Sequence, residues 1–168
     1  MKWNRKLGIA ATVSVIGIGV IAQSASGSPA TGVTPTMLVT ANLDYNVRWN
    51  SDGVKFQTKA PTDVGIQKLV FAPGGSTGWH HHPGIAIGVV ASGSVTFWDT
   101  DCHAMTYGPG LPNGSSFVEG GDKPMNVTSA AGATSYVTFV APSTDPPRFR
   151  IEDDGPTCAT SVALGAHH

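Results

Sequence analysis

Three consecutive histidines, His80, His81 and His82, are the residues best suited to chemistry, because neutral imidazole is a common metal ligand. They follow a glycine-rich turn and separate two apolar runs, residues 66–71 and 85–90, that predict β-strands. Side chains alternate faces along an extended backbone, so His80 and His82 share a face and His81 points the other way. This spacing predicts a site for one divalent metal ion, and a surface cluster on a loop is the alternative.

The composition predicts that an all-β domain positions these histidines. A chain of 168 residues is long enough for one domain and short for two. With 40% hydrophobic and only 12% charged residues, it is neither a disordered tail nor a nucleic-acid-binding protein. The 21 glycines and 12 prolines are typical of short strands joined by tight turns. Beyond the N-terminal segment no helical spacing of apolar residues is sustained.

The N-terminal segment, residues 1–27, has the pattern of a secretory signal peptide. An apolar stretch at residues 7–22 precedes a run of small residues, and the basic region before it consists of Lys2, Arg5 and Lys6. The apolar stretch is short for a membrane span, which needs about 20 residues. We therefore predict a protein exported to the cell envelope or secreted, without a stable membrane span after cleavage. An uncleaved anchor is the alternative.

Removal of the predicted signal changes the net charge of the chain, and export bears on the state of the two cysteines. The signal holds three of the 10 Lys and Arg and none of the 11 Asp and Glu, which leaves a charge of −4. A mildly acidic surface argues against nucleic acid or anionic membranes as partners. In an oxidising compartment, Cys102 and Cys158 are expected to form a disulfide, worth roughly 4 kcal/mol in the chain-entropy model. Two free thiols used for chemistry are the alternative.

The rest of the chain alternates short extended runs with turns, and neither a repeat nor a linker divides it. Residues 44–53 are polar and predict a turn region, and the clearest hairpin joins residues 85–90 to 95–98. We predict a barrel domain at 28–145 and a tail at 146–168 that the disulfide ties back. The remaining predicted strands are 33–43, 54–58, 64–71, 105–107, 115–119, 125–128 and 134–140.

The order of strand, glycine-rich turn, His-x-His-Pro-Gly and strand resembles the cupin family. The first cupin motif is matched by Gly74 or Gly75, His80, His82 and Gly93, but its glutamate place falls on Ala86 or Ile87. When the second motif is aligned from Gly114, its proline, glycine and histidine places hold Gly120, Asp122 and Met125. The resemblance implies an all-β, double-stranded β-helix, that is, a jelly-roll barrel of antiparallel sheets.

One branch of small exported bacterial cupins is similar over residues 33–158. Its members lack the first-motif glutamate, carry Gly-x-x-Gly-Trp-His-x-His-Pro-Gly, and end in a cysteine-bearing tail. They also have Phe-Val-Glu or Phe-Val-Asp in the second motif, here residues 117–119. The resemblance therefore implies Glu119 as the oxygen ligand beside His80 and His82, a set suited to Fe, Mn, Ni or Zn with open positions. A solvated carboxylate at the strand end is the alternative for Glu119.

The other candidate residues carry weaker expectations. Met125 is a poor ligand for hard divalent metals. His103, in a polar turn, either reaches the barrel mouth or is solvated, and His167 and His168 are given no role. His81 is expected to be dispensable.

Three functions stay open at this stage. They are a metal-dependent enzyme acting on a small organic substrate, a non-catalytic barrel that binds metal or a small ligand, and a metal-free structural barrel. No second carboxylate or lysine lies near the motifs, so no catalytic residue is assigned. A small-molecule ligand and a homodimer are the partners we expect.

Overall fold

The computed structural model describes residues 28–158, so the predicted signal peptide, His167 and His168 lie outside the described residues. Every regular element within this range is a β-strand. In chain order the strands are β1 Thr31–Leu43, β2 Arg48–Ser51, β3 Val54–Gln57, β4 Thr62–Ser76, β5 His80–His81, β6 Ile85–Gly93, β7 Val95–Trp98, β8 Ala104–Tyr107, β9 Ser116–Gly120, β10 Asn126–Ser129, β11 Ala133–Pro142 and β12 Ile151–Glu152.

Eight of these strands form one antiparallel sheet that rolls into a barrel. Its strand order is β8-β7-β10-β4-β11-β6-β9, and β1 also pairs with β4. The long strand β4 connects the two halves, because residues 62–71 pair with β11 while residues 75–76 pair with β10. Between these regions Gly74 has a φ of +75°, which interrupts the extended backbone where β4 passes from one half to the other. The prediction of an all-β antiparallel jelly roll is confirmed.

The core lies between the two halves and follows the alternation of side chains along the strands. In β11 every second residue from Ala133 to Ala141 is buried, and β6 and β9 alternate in the same way. Aromatic rings fill much of the interior, with ring centroids of Phe97 and Phe117 only 4.6 Å apart. The buried apolar cluster consists of Phe71, Ala86, Val90, Val95, Phe117, Val127, Ala133, Val137, Phe139, Ala141 and Phe149.

The segment after β11 packs onto the barrel. The ring of Phe149 is buried in the core and lies against Gly65, where a Cβ would come within 2.7 Å of the ring. Strand β12 then pairs with β5, Ile151 opposite His81. The predicted Cys102–Cys158 disulfide is present, with a Cα–Cα distance of 5.3 Å, and it fastens the end of the described segment to the turn after β7.

One local prediction was wrong. Residues 48–51, which the polar composition assigned to a turn region, form β2 and pair with β3 in a separate hairpin. All four residues of β2 are exposed, so the strand has no buried face and leaves no alternation in the sequence. Within residues 28–158, no helix has the length and apolar character needed to cross a bilayer.

Asp63 joins three segments at the end of the barrel. Its buried carboxylate accepts hydrogen bonds from Asn42 Nδ2 at 2.9 Å, Ser143 Oγ at 3.0 Å and the Thr144 backbone N–H at 2.9 Å. The bonds from Asn42 and Thr144 lower the pKa of Asp63 below 3.8, although burial opposes them. The ionised carboxylate therefore stabilises the fold.

We expect Asp63→Asn to destabilise the protein at pH 6 and to reduce the dependence of its stability on pH. A lowered pKa in the folded state contributes stability above the unfolded pKa of about 3.9, and this contribution is lost as the pH falls through the folded pKa. Urea unfolding at pH 6 and pH 3 measures both effects. The exposed Asp122→Asn is the matched control. An equal loss of stability between the two pH values in wild type and Asp63→Asn would contradict this role.

Candidate metal centre

His80 and His82 lie inside the barrel, and His81 lies outside the group that they form. The exposed fractions are 4% for His80 and 5% for His82, and their ring centroids are 5.0 Å apart. His81 is half-buried, and its Nδ1 lies 2.6 Å from Asp153 Oδ2. The backbone places the pair because His80 exchanges two hydrogen bonds with Met125, at 2.9 and 2.8 Å. The alternation read from the sequence accounts for this arrangement.

Glu119 reaches the same interior from the neighbouring strand. In the β6–β9 ladder, Glu119 lies directly opposite Ala86, and opposed residues of an antiparallel pair share a face. The small side chain of Ala86 is fully buried and leaves space beside it, while Glu119 is 8% exposed. A carboxylate therefore lies opposite one of the two positions to which the first cupin motif assigns its glutamate. The burial of Glu119 excludes the alternative of a solvated carboxylate at the strand end.

The structure brings the three predicted ligands together. One ligand atom from each of His80, His82 and Glu119 lies within 4.8 Å of the other two. His82 Nε2 lies 3.2 Å from Glu119 Oε2. Two ligand atoms about 2.1 Å from a common ion are separated by about 3.0–3.4 Å at octahedral to tetrahedral angles, so this pair has suitable spacing.

Backbone carbonyls fix the protonation of both imidazoles. Nδ1 of His80 donates to Gly78 O at 2.9 Å, and Nδ1 of His82 donates to Phe149 O at 2.5 Å. A carbonyl oxygen only accepts, so Nδ1 carries a proton in each ring, and in the neutral ring Nε2 is the nitrogen with the lone pair. Burial, together with the nearby positive charge of Arg150, lowers the pKa of His80 to about 3, against the opposing effect of the Gly78 hydrogen bond. His80 is therefore neutral at physiological pH, as a metal ligand must be.

A buried oxygen of Glu119 without a hydrogen-bond partner indicates that a cation would fit between the three candidate ligands. Glu119 Oε2 is buried and has no hydrogen-bond partner among the described residues. The 3.2 Å contact to His82 Nε2 does not satisfy it while the imidazole is neutral, because that nitrogen then has no proton to donate. A buried carboxylate oxygen facing a nitrogen lone pair is unfavourable unless a positive charge lies between them. Two imidazoles and a carboxylate are a donor set for first-row divalent metals.

A cavity of about 170 Å³ adjoins this group. Its walls are mainly apolar, including the aromatic rings of Phe71, Phe97, Phe117, Phe139 and Phe149. The polar side chains that line it, besides the three candidate ligands, are those of Gln67, Thr77, Ser135 and Arg150. An apolar cavity with a few polar groups is the usual form of a small-molecule site.

Sequence reasoning missed the contribution of the segment at residues 149–152. The Phe149 carbonyl orients His82, and Arg150 lines the cavity while its guanidinium donates to Glu152 and to the Thr77 carbonyl. The only signal was the Phe149/Ile151 alternation, which indicates an extended segment. Nothing in that spacing connects it to histidines that lie 67 positions earlier.

The remaining candidate residues lie outside the group of three. His103 is exposed, and its Nδ1 contacts Asp99 Oδ2 at 3.1 Å within the same turn. With Asp99 and Asp101 it forms a separate, fully exposed group. The side chain of Met125 is half-buried and lines a shallow groove with Phe97 and Trp98. The solvated alternative for His103 therefore describes its position.

The rolled antiparallel barrel with an inward His-x-His pair agrees with the jelly-roll fold that the sequence resemblance implies. No protein-family model and no curated protein matches the sequence. Among solved structures, the chain is similar to a cupin domain from Bordetella pertussis at 22% identity and a TM-score of 0.41, over 67% of this chain and 95% of that one. A conserved protein of unknown function from Streptococcus pyogenes matches at 15% identity and a TM-score of 0.42, over 63% of this chain and 77% of that one. An oxalate oxidase matches at 22% identity and a TM-score of 0.37, over 45% of this chain and 40% of that one.

Proposed function

We propose that this protein binds one divalent metal ion through His80, His82 and Glu119 and holds a small organic molecule in the adjoining cavity. The observation that carries the proposal is the buried Oε2 of Glu119, which has no hydrogen-bond partner among the described residues and lies 3.2 Å from His82 Nε2. Three protein ligands would leave coordination positions open on a bound ion, and all three residues line the cavity. Fe, Mn, Ni and Zn all accept this donor set.

The residues of the chain have separate tasks at this site. The Gly78 and Phe149 carbonyls hold the two imidazoles in the ligating tautomer, and the phenylalanine rings exclude water. A bound metal would supply Lewis-acid or redox chemistry to a molecule in the cavity. Apart from the three candidate ligands and Arg150, the polar side chains of the cavity wall are those of Gln67, Thr77 and Ser135, and none of these is an ordinary general base.

Ligand binding at the metal is therefore the function that the geometry supports best. A metal-dependent reaction on a small organic substrate is the second candidate, and the open coordination positions favour it. The disulfide supports the export predicted from the N-terminal segment, because disulfides persist in oxidising compartments.

Metal analysis of the purified mature protein tests the proposal. We expect about one equivalent of Fe, Mn, Ni or Zn per chain, and we expect chelator-treated protein to take up one equivalent of added zinc. Cobalt-substituted protein should show visible absorption from a site that contains imidazole ligands. Purified protein without metal, whose chelator-treated form also fails to bind zinc, manganese, nickel or cobalt, would contradict the proposal.

A further inference from the structure

Arg150 is a charged residue of the cavity wall that is not one of the proposed metal ligands. Its Nε donates to Glu152 Oε1 at 2.6 Å, and its Nη2 donates to Glu152 Oε2 at 2.7 Å and to the Thr77 carbonyl at 2.6 Å. A guanidinium has five N–H groups, two of them on Nη1. Among the described residues, no hydrogen bond occupies Nη1. The side chain is held in place and still has donors to offer.

The position of Arg150 joins these donors to the proposed metal site. Arg150 lines the same cavity as His80 and Glu119, and it is the only Lys or Arg among the described residues that do so. Most other lining side chains are apolar. The cavity therefore combines one cationic group with walls that favour an apolar body.

The charges of the site favour an occupant with a single negative charge. The side chain of Glu152 balances that of Arg150 through the paired hydrogen bonds. A divalent ion held by Glu119 and two neutral imidazoles leaves one net positive charge. One carboxylate on a small molecule would neutralise that charge in a site with few polar groups. The two N–H groups of Nη1 remain to donate to such a carboxylate, because Glu152 takes the edge formed by Nε and Nη2.

We propose that Arg150 binds the carboxylate of a small organic acid with an apolar body, and that such acids are the ligand class of this protein. The inference rests on the proposed function, because it assigns the occupant of the same cavity. Arg150 is thus a specificity-determining residue, and the segment that carries it is part of the binding site.

The test compares variants of the zinc-loaded, full mature protein by titration calorimetry. The probes are benzoate and butyrate, with benzamide and butyramide as neutral analogues of the same shape. A metal would itself favour a carboxylate over an amide, so the decisive comparison is between variants. We expect Arg150→Gln to weaken benzoate or butyrate binding by about tenfold or more, because it removes a charge-assisted hydrogen bond, and to leave amide binding unchanged. Arg150→Lys should be intermediate, because it keeps the positive charge and loses the Nη1 donors.

Glu152→Gln is the matched control, because it alters the same ion pair without removing the guanidinium. We expect this variant to bind the acids at least as tightly as wild type. Zinc content and melting temperature are measured on every variant, so a loss of the metal site or of folding is seen directly. If zinc does not bind, the proposed function fails, and the same acid titrations on metal-free protein decide the role of Arg150. Binding of neither acid to wild type, or equal binding by wild type and Arg150→Gln, would overturn the inference.

Discussion

His80→Ala and His82→Ala are each expected to lose zinc binding almost completely, whereas His81→Ala is expected to keep it. Each of the first two variants removes a nitrogen ligand from a set of three. The loss should exceed the 10–100-fold typical of changes to groups that only support a ligand, so we expect more than about 100-fold. His81 is the matched control, because it is adjacent in sequence and contacts Asp153 instead. Competition with a chromogenic chelator measures the zinc affinity of all three variants.

The same experiment distinguishes a metal site from a structural pair of polar groups. If His82 and Glu119 served only to share a proton in a metal-free barrel, chelator treatment would leave the melting temperature unchanged and the three histidine variants would show no difference in zinc affinity. Circular dichroism checks that each variant is folded. Equal zinc affinity in wild type and His82→Ala, with both proteins folded, would contradict the assignment and favour the metal-free barrel.

The second large effect concerns the disulfide. Cys102→Ser combined with Cys158→Ser is expected to lower the free energy of unfolding by about 4 kcal/mol, because the bond closes a loop across 56 positions in the unfolded chain. Urea unfolding measures the change. We also expect weaker zinc binding, because residues 149–152 supply the carbonyl that orients His82 and form the strand that pairs with β5.

Contacts other than the disulfide also hold the segment after β11 against the barrel. Loss of the disulfide should therefore weaken zinc binding without abolishing it. Trp79 Nε1 donates to the Pro156 carbonyl at 3.0 Å, and the Phe149 ring is buried. We therefore expect the double variant to stay folded at moderate temperature and to bind zinc more weakly than wild type. Wild type under a reducing agent is the comparison, and it should behave like the variant. Unchanged stability after removal of both cysteines would contradict the assigned role of the bond.

The sequence was sufficient for the parts of the site that depend on local periodicity. A period of two along a strand is enough to place His80 and His82 on one face and His81 on the other. Glu119 required the resemblance to a family, because its approach depends on the register of β6 against β9, which no local pattern specifies. Ala86 is one of the two positions aligned with the glutamate of the first cupin motif, and only the β6–β9 pairing shows that Glu119 lies opposite it.

The contribution of residues 149–152 to the site could not be predicted from the sequence for a different reason. Phe149 is buried because Gly65, on β4, leaves room for its ring, and this match between distant residues has no signature in composition or spacing. Strand β2 was missed because none of its residues is buried, so hydrophobic alternation could not mark it. Hydrophobic periodicity in a sequence indicates which face of a strand is buried. It cannot reveal a strand that is fully exposed, or a contact between residues far apart in the chain.

The hydrogen bond from His82 to the Phe149 carbonyl also implies an order in which the chain folds and the proposed site is completed. These residues are 67 positions apart, so a chain that has been delivered only as far as β11 has its histidines but lacks the group that orients one of them. The ligating geometry is complete only after residues 149–152 have joined β5. For a protein exported unfolded through its N-terminal segment, the proposed metal would then be acquired after translocation, and the supply outside the cytoplasm would decide which ion occupies the barrel.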